Sequence, residues 1–577
     1  MEIKRLVLAI AVSCVIFIGW NYLAKEMGWL PPPPEPATQN ATTAPLPTVA
    51  DIPGDPSSSV QEPLGDPSAT RQESPGDPSA VRQPDFVSSP GRLVTVDTPL
   101  YTAVFHSGGG VLRQFFLKEY HTAMRPDAPK VNMITEAAAA QGPMGVLIDG
   151  LPTWTGTPWT LEGDDIILGA DASGVLRLVA DINGLRVVRE LIFSGSNYVI
   201  EEKIRLTSPD PKAVKLAFTF GASALAVEAE PSIFSRLRYA IFGGEAPVAS
   251  ENQYNLTRVA WLQDGKFDDK GMGSDLTAGH LVQGKVSWMA VMDNYFMGAV
   301  SMPGAEASAK GRMTGNVFHV LIGKSTVPVS SEETTLNCAY FIGPKDGAHL
   351  KSAPNNIEKA LDYGFFSIVA KPLVFLLQFL YGYVQNYGVA IILMTVLIKI
   401  LFWPLSRKSY KSMQQMKQLQ PLITKIRTDY ADDKEAMNRE VMQLYKTYKV
   451  NPAGGCLPIL VQIPVFFGLY QALLNAIELR QAPFISTLPF TDHVWLADLA
   501  SPDPFLITPL VMGATMFLQQ KMTPASGDPT QAKVMMLMPV VFTALFINFP
   551  SGLVLYWLVN NVISIAQQWM QLREPAK

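Results

Sequence analysis

Apolar and polar residues follow two different rhythms along the chain, and the change comes near residue 360. From Arg92 to about Leu350 they alternate over short stretches, as in LVTVDTPLYTAVF near the start. Val175–Ile182 and Leu185–Phe193 flank Asn183-Gly184, and Asn-Gly between two β-rich runs predicts a tight hairpin. Tyr198–Leu206, Lys215–Phe220, Val286–Met292 and Val317–Ile322 read as further strands. Many short strands separated by turn residues predict a large antiparallel β-sandwich over 91–352, of the size of sugar-binding supersandwich domains.

Beyond that point the apolar runs lengthen to membrane dimensions. Asp362–Gln385 carries Lys371-Pro372 in mid-segment, with Gln378 and Gln385 beyond, and predicts an amphipathic helix lying in the interface over 361–387. Gly388–Pro404, GVAIILMTVLIKILFWP, predicts a transmembrane helix over 388–405, with Lys399 set inside it. Further spans are expected at 452–479, 503–522, 533–549 and 551–570. Within the last two, the apolar runs Lys533–Asn548 and Gly552–Gln567 are short: about 16 residues of helix cover roughly 24 Å, against a hydrocarbon core of about 30 Å. Between the first two spans, over 406–450, apolar residues recur at three- and four-residue steps. They run through Met416, Leu419, Ile423, Ile426 and Tyr430, then through Met437, Val441, Leu444 and Tyr448 after Asp432-Asp433. That spacing predicts a helical hairpin.

The N-terminus adds one more span. Lys4 and Arg5 precede the apolar run Leu6–Gly19, with Trp20 and Tyr22 after it, so 1–25 reads as an uncleaved anchor. Residues 26–90 open with PPPPEP and repeat GDPS at Gly54, Gly65 and Gly76; a proline in every repeat and few apolar residues predict a disordered tether. Basic residues cluster at Lys4-Arg5, in Ser406–Lys449, at Lys521 and Lys533, and at Arg573 and Lys577. The positive-inside rule then gives six spans, both termini cytoplasmic, the 406–450 hairpin cytoplasmic and the sandwich outside.

Charge and composition change the picture only by exclusion. Acidic and basic residues nearly balance, at 50 and 46, so nothing points to nucleic-acid specificity. Three cysteines and six scattered histidines make neither a disulfide framework nor a metal site, and no P-loop, nucleophile elbow or dinucleotide fingerprint is present. No cofactor and no catalytic site are expected.

The chemistry lies in polar groups at membrane depth. A lysine there costs roughly 2.5–3.5 kcal/mol or more, so it usually faces a polar cavity or a partner. At helical spacing Gly388, Ile392, Thr395, Lys399 and Phe402 share a face. Gln462, Gln519 and Asn560 are polar residues in or near other spans; converging with Thr395 and Lys399 they would make a wet, positively charged pocket. Snorkelling of Lys399 toward the cytoplasmic end is the alternative. Met512, Met516, Met535, Met536 and Met538 with Phe466 and Phe467 would give it a pliable wall. One cation without an intramembrane acid suits a substrate that brings the acid. A secondary transporter with a ligand-binding sandwich is the main alternative, and it predicts a coupling carboxylate in the spans. A carbohydrate-binding or processing protein is another; it makes the sandwich primary, although Trp154, Trp159 and Trp261 read better as core or surface residues than as a sugar site.

NPAGGCLPILVQIPVFFGLYQALLNAIELRQAPF, ITPLVMGATMFLQQKMTP and MPVVFTALFINFPSGLVLYWLVNNVISIAQQW resemble the YidC-type membrane protein insertases. The anchor followed by a large exported β domain is similar to the Gram-negative layout. The resemblance implies a polytopic α-helical protein of the inner membrane, with five of six transmembrane helices forming the insertase core and a periplasmic β-supersandwich. It also implies an energy-independent insertase and chaperone of nascent membrane proteins, working in the phospholipid bilayer alone or beside the Sec translocon. Its groove would be open to cytoplasm and lipid and closed outside, with Lys399, Thr395, Gln462, Gln519, Trp557 and Asn560 as substrate-binding residues. Lys399 stands where proteobacterial members usually carry arginine, so the charge is kept and the bidentate fork is lost. Thr395 and Trp557 match substrate-contacting positions, Trp557 replacing a tyrosine beside Tyr556. The tail after Arg573 is short, so ribosome contact would fall to Ser406–Lys449 and the Pro524–Gln531 loop.

Overall fold

The computed structural model describes residues 91–122, 128–155, 157–223, 255–303, 307–448, 450, 457–487, 489, 494–522 and 529–573. The expected anchor and tether, the start of the 452–479 span and most of the Pro524–Gln531 loop lie outside the described residues. Those residues form two compact units that divide between Asp362 and Tyr363.

In the first unit the strands form three sheets among the described residues, of nine, six and five strands. The predicted hairpin pairs Ser173–Ile182 with Leu185–Ser194, Ile182 opposite Leu185. Asn183 and Gly184 both take positive φ, 49° and 74°, the turn whose twist matches that of the strands. Val199–Thr207, Thr334–Pro344, Phe296–Ser301 and Val286–Met292 continue the nine-stranded sheet from it. One face of that sheet buries against both smaller sheets. Phe193 meets Phe105 of the five-stranded sheet edge-on at 5.7 Å. Gly298 lies beneath Phe220 of the six-stranded sheet, where a Cβ would come within 2.0 Å of the ring. The result is a supersandwich with alternating residues inside. Of the two expected places, core or surface, Trp154, Trp159 and Trp261 take the core.

The centre of this core is charged. Arg189 and Glu202, both fully buried, face each other from adjacent strands. Arg189 Nε donates to Glu202 Oε1 at 2.5 Å and Nη2 to Oε2 at 3.2 Å. Its Nη1 and Nη2 also donate to the carbonyls of Gly110 and Met144, and the guanidinium stacks over Trp159. One side chain thus joins the central sheet to segments leading into both smaller sheets.

This unit runs to Asp362 rather than stopping at 352. Ile357 and Ala360 are buried, and Trp288 Nε1 donates to the Asn356 carbonyl, so the exit segment belongs to the sandwich. Nearby, buried Lys345 donates to the Asp293 carbonyl at 2.9 Å. Burial, reinforced by the Arg258 guanidinium, brings its ammonium down to about 7 against the pull of Asp293, Asp269 and Asp362. In the unfolded chain a lysine titrates near ~10.4, so between these values the unfolded state binds the extra proton and stability rises with pH. The Lys345 contribution is therefore complete above the unfolded value and lost as pH falls through about 7. The unfolding midpoint of the sandwich should climb between pH 7 and 9 more steeply in the wild type than in Lys345→Met; equal slopes in a thermal melt would contradict this.

The second unit contains eight α-helices among the described residues. We number them α1 Ser367–Val384, α2 Tyr387–Leu401, α3 Trp403–Asp429, α4 Lys434–Thr447, α5 Leu457–Asn475, α6 Ile507–Met522, α7 Pro529–Phe546 and α8 Ser551–Arg573. Gln385 in the left-handed region ends α1, and the Asn386 side chain caps α2 by accepting from the Val389 N–H. The α2 helix stops at Leu401 and bends by 63° into α3. Asp433 caps α4, and Leu419 and Ile423 of α3 pack against Val441, Leu444 and Tyr445 of α4. The last helix is not short: α8 has 23 residues and reaches about 34 Å, because it continues through polar residues past Gln567. Among the apolar helices the short members are α2 and α6, with 15 and 16 residues. By length and hydropathy, Gly364–Val384 could cross a bilayer unbroken, α2 with α3 only as a bent pair, and Met535–Phe546 is a shorter apolar helix.

Candidate polar site between the helices

Helix α2 buries Ile391, Met394, Thr395, Ile398 and Lys399 on one side, and α8 packs there against it. Along α8 the four-residue step brings Tyr556, Asn560, Ser564 and Gln568 onto one face, all of them buried. Lys399 is 8% exposed, and its ammonium donates to Ser564 Oγ at 2.7 Å. The Ser564 hydroxyl donates in turn to the Asn560 carbonyl at 2.7 Å. From α5, Gln462 Nε2 donates to Asn560 Oδ1 at 2.7 Å and lies 3.3 Å from the Tyr556 hydroxyl. Three helices therefore share one polar chain inside an otherwise apolar core.

Among the described residues no carboxylate pairs with Lys399, and α2, α5, α6, α7 and α8 contain no aspartate or glutamate. An uncompensated charge in such a place is costly. The stripe continues past Ser564: Gln567 and Gln568 are buried, with the Gln567 amide nitrogen and oxygen and the Gln568 oxygen unpaired. Beyond them Gln414 of α3 donates to the Gln571 carbonyl at 3.0 Å.

Of the six residues expected to form the site, Lys399, Gln462 and Asn560 meet in this chain, and the other three stand apart from it. The Thr395 hydroxyl donates to the Ile391 carbonyl of its own helix. Trp557 packs its ring with Phe466, Phe542 and Phe546 at 5.2–6.1 Å, on the apolar side of the polar chain. Gln519 sits half-buried on α6, outside the chain. The methionines do not form one wall: Met512 is in the core, whereas Met535 and Met536 point outward. Ser564, Gln567 and Gln568 were missed. The four-residue repeat on the last helix was the available signal.

At the opposite end of α2 and α8 a connecting loop packs against both helices. Phe484 of the 480–506 loop fills the space where Gly388 lacks a side chain, and Asn386 Nδ2 donates to its carbonyl at 3.1 Å. Asp503 accepts from Trp495 Nε1 and from the N–H and hydroxyl of Thr508. Asp498 accepts from Gln481 N, Ala500 N and the Ser501 hydroxyl. The N–H groups at the start of α8 then donate to Ser501 and Leu499. Asp498 and Asp503 thus fold this loop.

The profile of the 60Kd inner membrane protein family matches residues 379–577, and that of the YidC periplasmic domain matches residues 93–376. The membrane protein insertase YidC of Nitratidesulfovibrio vulgaris (Miyazaki F) is 53% identical over 100% of both chains. That of Lawsonia intracellularis is 44% identical, again over 100% of both. A crystal structure of an active YidC insertase with its first transmembrane domain resolved covers 83% of this chain and 94% of its own, at 19% identity and TM-score 0.34. With full-length relatives at this identity and both domain profiles matched, the chain belongs to the YidC family of inner membrane proteins, the sandwich being its periplasmic domain and the helices its C-terminal region.

Proposed function

We propose that this chain is a membrane protein insertase that gives the polar part of a nascent membrane protein a temporary berth beside Lys399. Inner-membrane location and a periplasmic domain follow from the family, and insertion of membrane proteins, rather than an enzymatic reaction, is what its relatives are named for. The observation that carries the berth is the buried ammonium of Lys399, which has a hydroxyl and no acid for company. An acidic or polar client segment supplies the missing partner without covalent chemistry. The transporter alternative loses its coupling group, since the helices around the site carry no carboxylate.

In this reading six spans place both termini in the cytoplasm, five of them form the core, and α1 lies in the interface with Ile368, Phe375, Phe379 and Tyr383 exposed to lipid. The loop held by Asp498 and Asp503 closes the periplasmic end. Helix α2, at about 22 Å, is short enough to thin the bilayer beside the site. The α3–α4 hairpin offers a basic docking surface for the ribosome, and the protein works alone or beside the Sec translocon. Contact by Thr395, Gln519 and Trp557 belongs to later stages, when a client's apolar segment slides along α6 and α8.

Photocrosslinkers at Gln462 and Asn560 should trap the polar segment of a stalled client, and those at Phe375 and Phe379 should label lipid. Equal client crosslinking at all four positions would remove the berth from this face.

A further inference from the structure

Among the described residues Ser564 is the one acceptor that Lys399 reaches, and its geometry leaves it a single role. Its proton is committed to the Asn560 carbonyl, so its lone pairs face the ammonium. Asn560 Oδ1, one turn before it on α8, accepts instead from Gln462. We infer that Ser564 is a positioning residue, a neutral latch that holds Lys399 against α8 until an acidic client segment displaces it. This rests on the insertase reading of the same site.

The latch works by comparing acceptors. A client hydroxyl or amide offers the ammonium nothing better than serine, so exchanging one for the other gains little. A client carboxylate adds to the hydrogen bond the Coulomb attraction of an opposite charge, which neither a hydroxyl nor an amide offers the ammonium. Serine thereby sets a threshold that acids pass and neutral groups do not. Lysine suits such a device because its charge is compact; an arginine held by one hydroxyl would still present four further N–H donors.

The test uses the full-length protein in liposomes and two single-span clients that differ only in Asp or Asn within the translocated segment. Wild type should insert the Asp client well and the Asn client weakly. Ser564→Ala should raise the Asn client about tenfold or more, the scale of one hydrogen bond to a charged group, and so narrow the preference for Asp over Asn. Ser564→Thr, which keeps the hydroxyl, should match wild type. Ser564→Asp should pair with Lys399 internally and block the Asp client, with the Asn client no better than in wild type. If Ser564→Ala lowers both clients equally and Ser564→Thr restores them, the serine only packs two helices and the latch is wrong. The same holds if Ser564→Asp inserts the Asp client at the wild-type rate. Wild type inserting neither client would overturn the insertase reading and the latch with it, whereas an active wild type with flat variants overturns the latch alone.

Discussion

Lys399→Ala should lower insertion of a client with an acidic translocated segment by about 30-fold, the scale of ~2 kcal/mol for one lost interaction with a charged group. Lys399→Arg should keep most of the activity, since the charge stays. The protease-protected fraction of labelled client in inner-membrane vesicles reads both. The alanine variant should also be at least as stable as wild type, because it removes a buried ammonium that has only Ser564 for a partner and whose desolvation is costly. Loss of function without loss of stability separates a functional charge from a structural one. A destabilised Lys399→Ala that fails on neutral and acidic clients alike would assign Lys399 to packing.

The second large effect lies in the sandwich. Glu202→Ala should cost about 3–5 kcal/mol, the usual result of leaving one member of a buried ion pair alone. Arg189 would keep its bonds to the carbonyls of Gly110 and Met144 but lose the charge that offsets its own. Arg189→Met combined with Glu202→Leu should cost less than the two single changes added together, because it leaves no unpaired charge. Denaturant unfolding of these five proteins (wild type, Glu202→Ala, the two single changes and the double), followed by the fluorescence of buried Trp154 and Trp159, measures this. Additive losses would mean that the two side chains do not act as a pair.

What could be read in advance was local. Asn183-Gly184 announced its hairpin because the turn's chemistry lies in two adjacent residues. That Phe296–Ser301 sits beside Thr334–Pro344 could not be read, since the pairing joins segments far apart in sequence. Lys399, Gln462 and Asn560 stood out as polar groups in apolar runs, and the fold brings them together. Ser564 did not, because serine is common on helix surfaces and only its place opposite Lys399 gives it meaning. Thr395 was expected to face the site, yet a helical threonine can turn its hydroxyl back to the preceding turn, and the rotamer, not the spacing, decides. The length of α8 was underestimated for a related reason. Hydropathy ends at Gln567, but the helix continues to Arg573 along α3, where Gln414 holds it.

The central claim is that this chain alone inserts a membrane protein by offering a polar berth. The most direct measurement is reconstitution of the purified full-length protein into liposomes without nucleotide, with insertion of a small acidic single-span client scored by protease protection. The account predicts a protected client in proportion to the protein present and none in empty liposomes. Equal protection in both would contradict it.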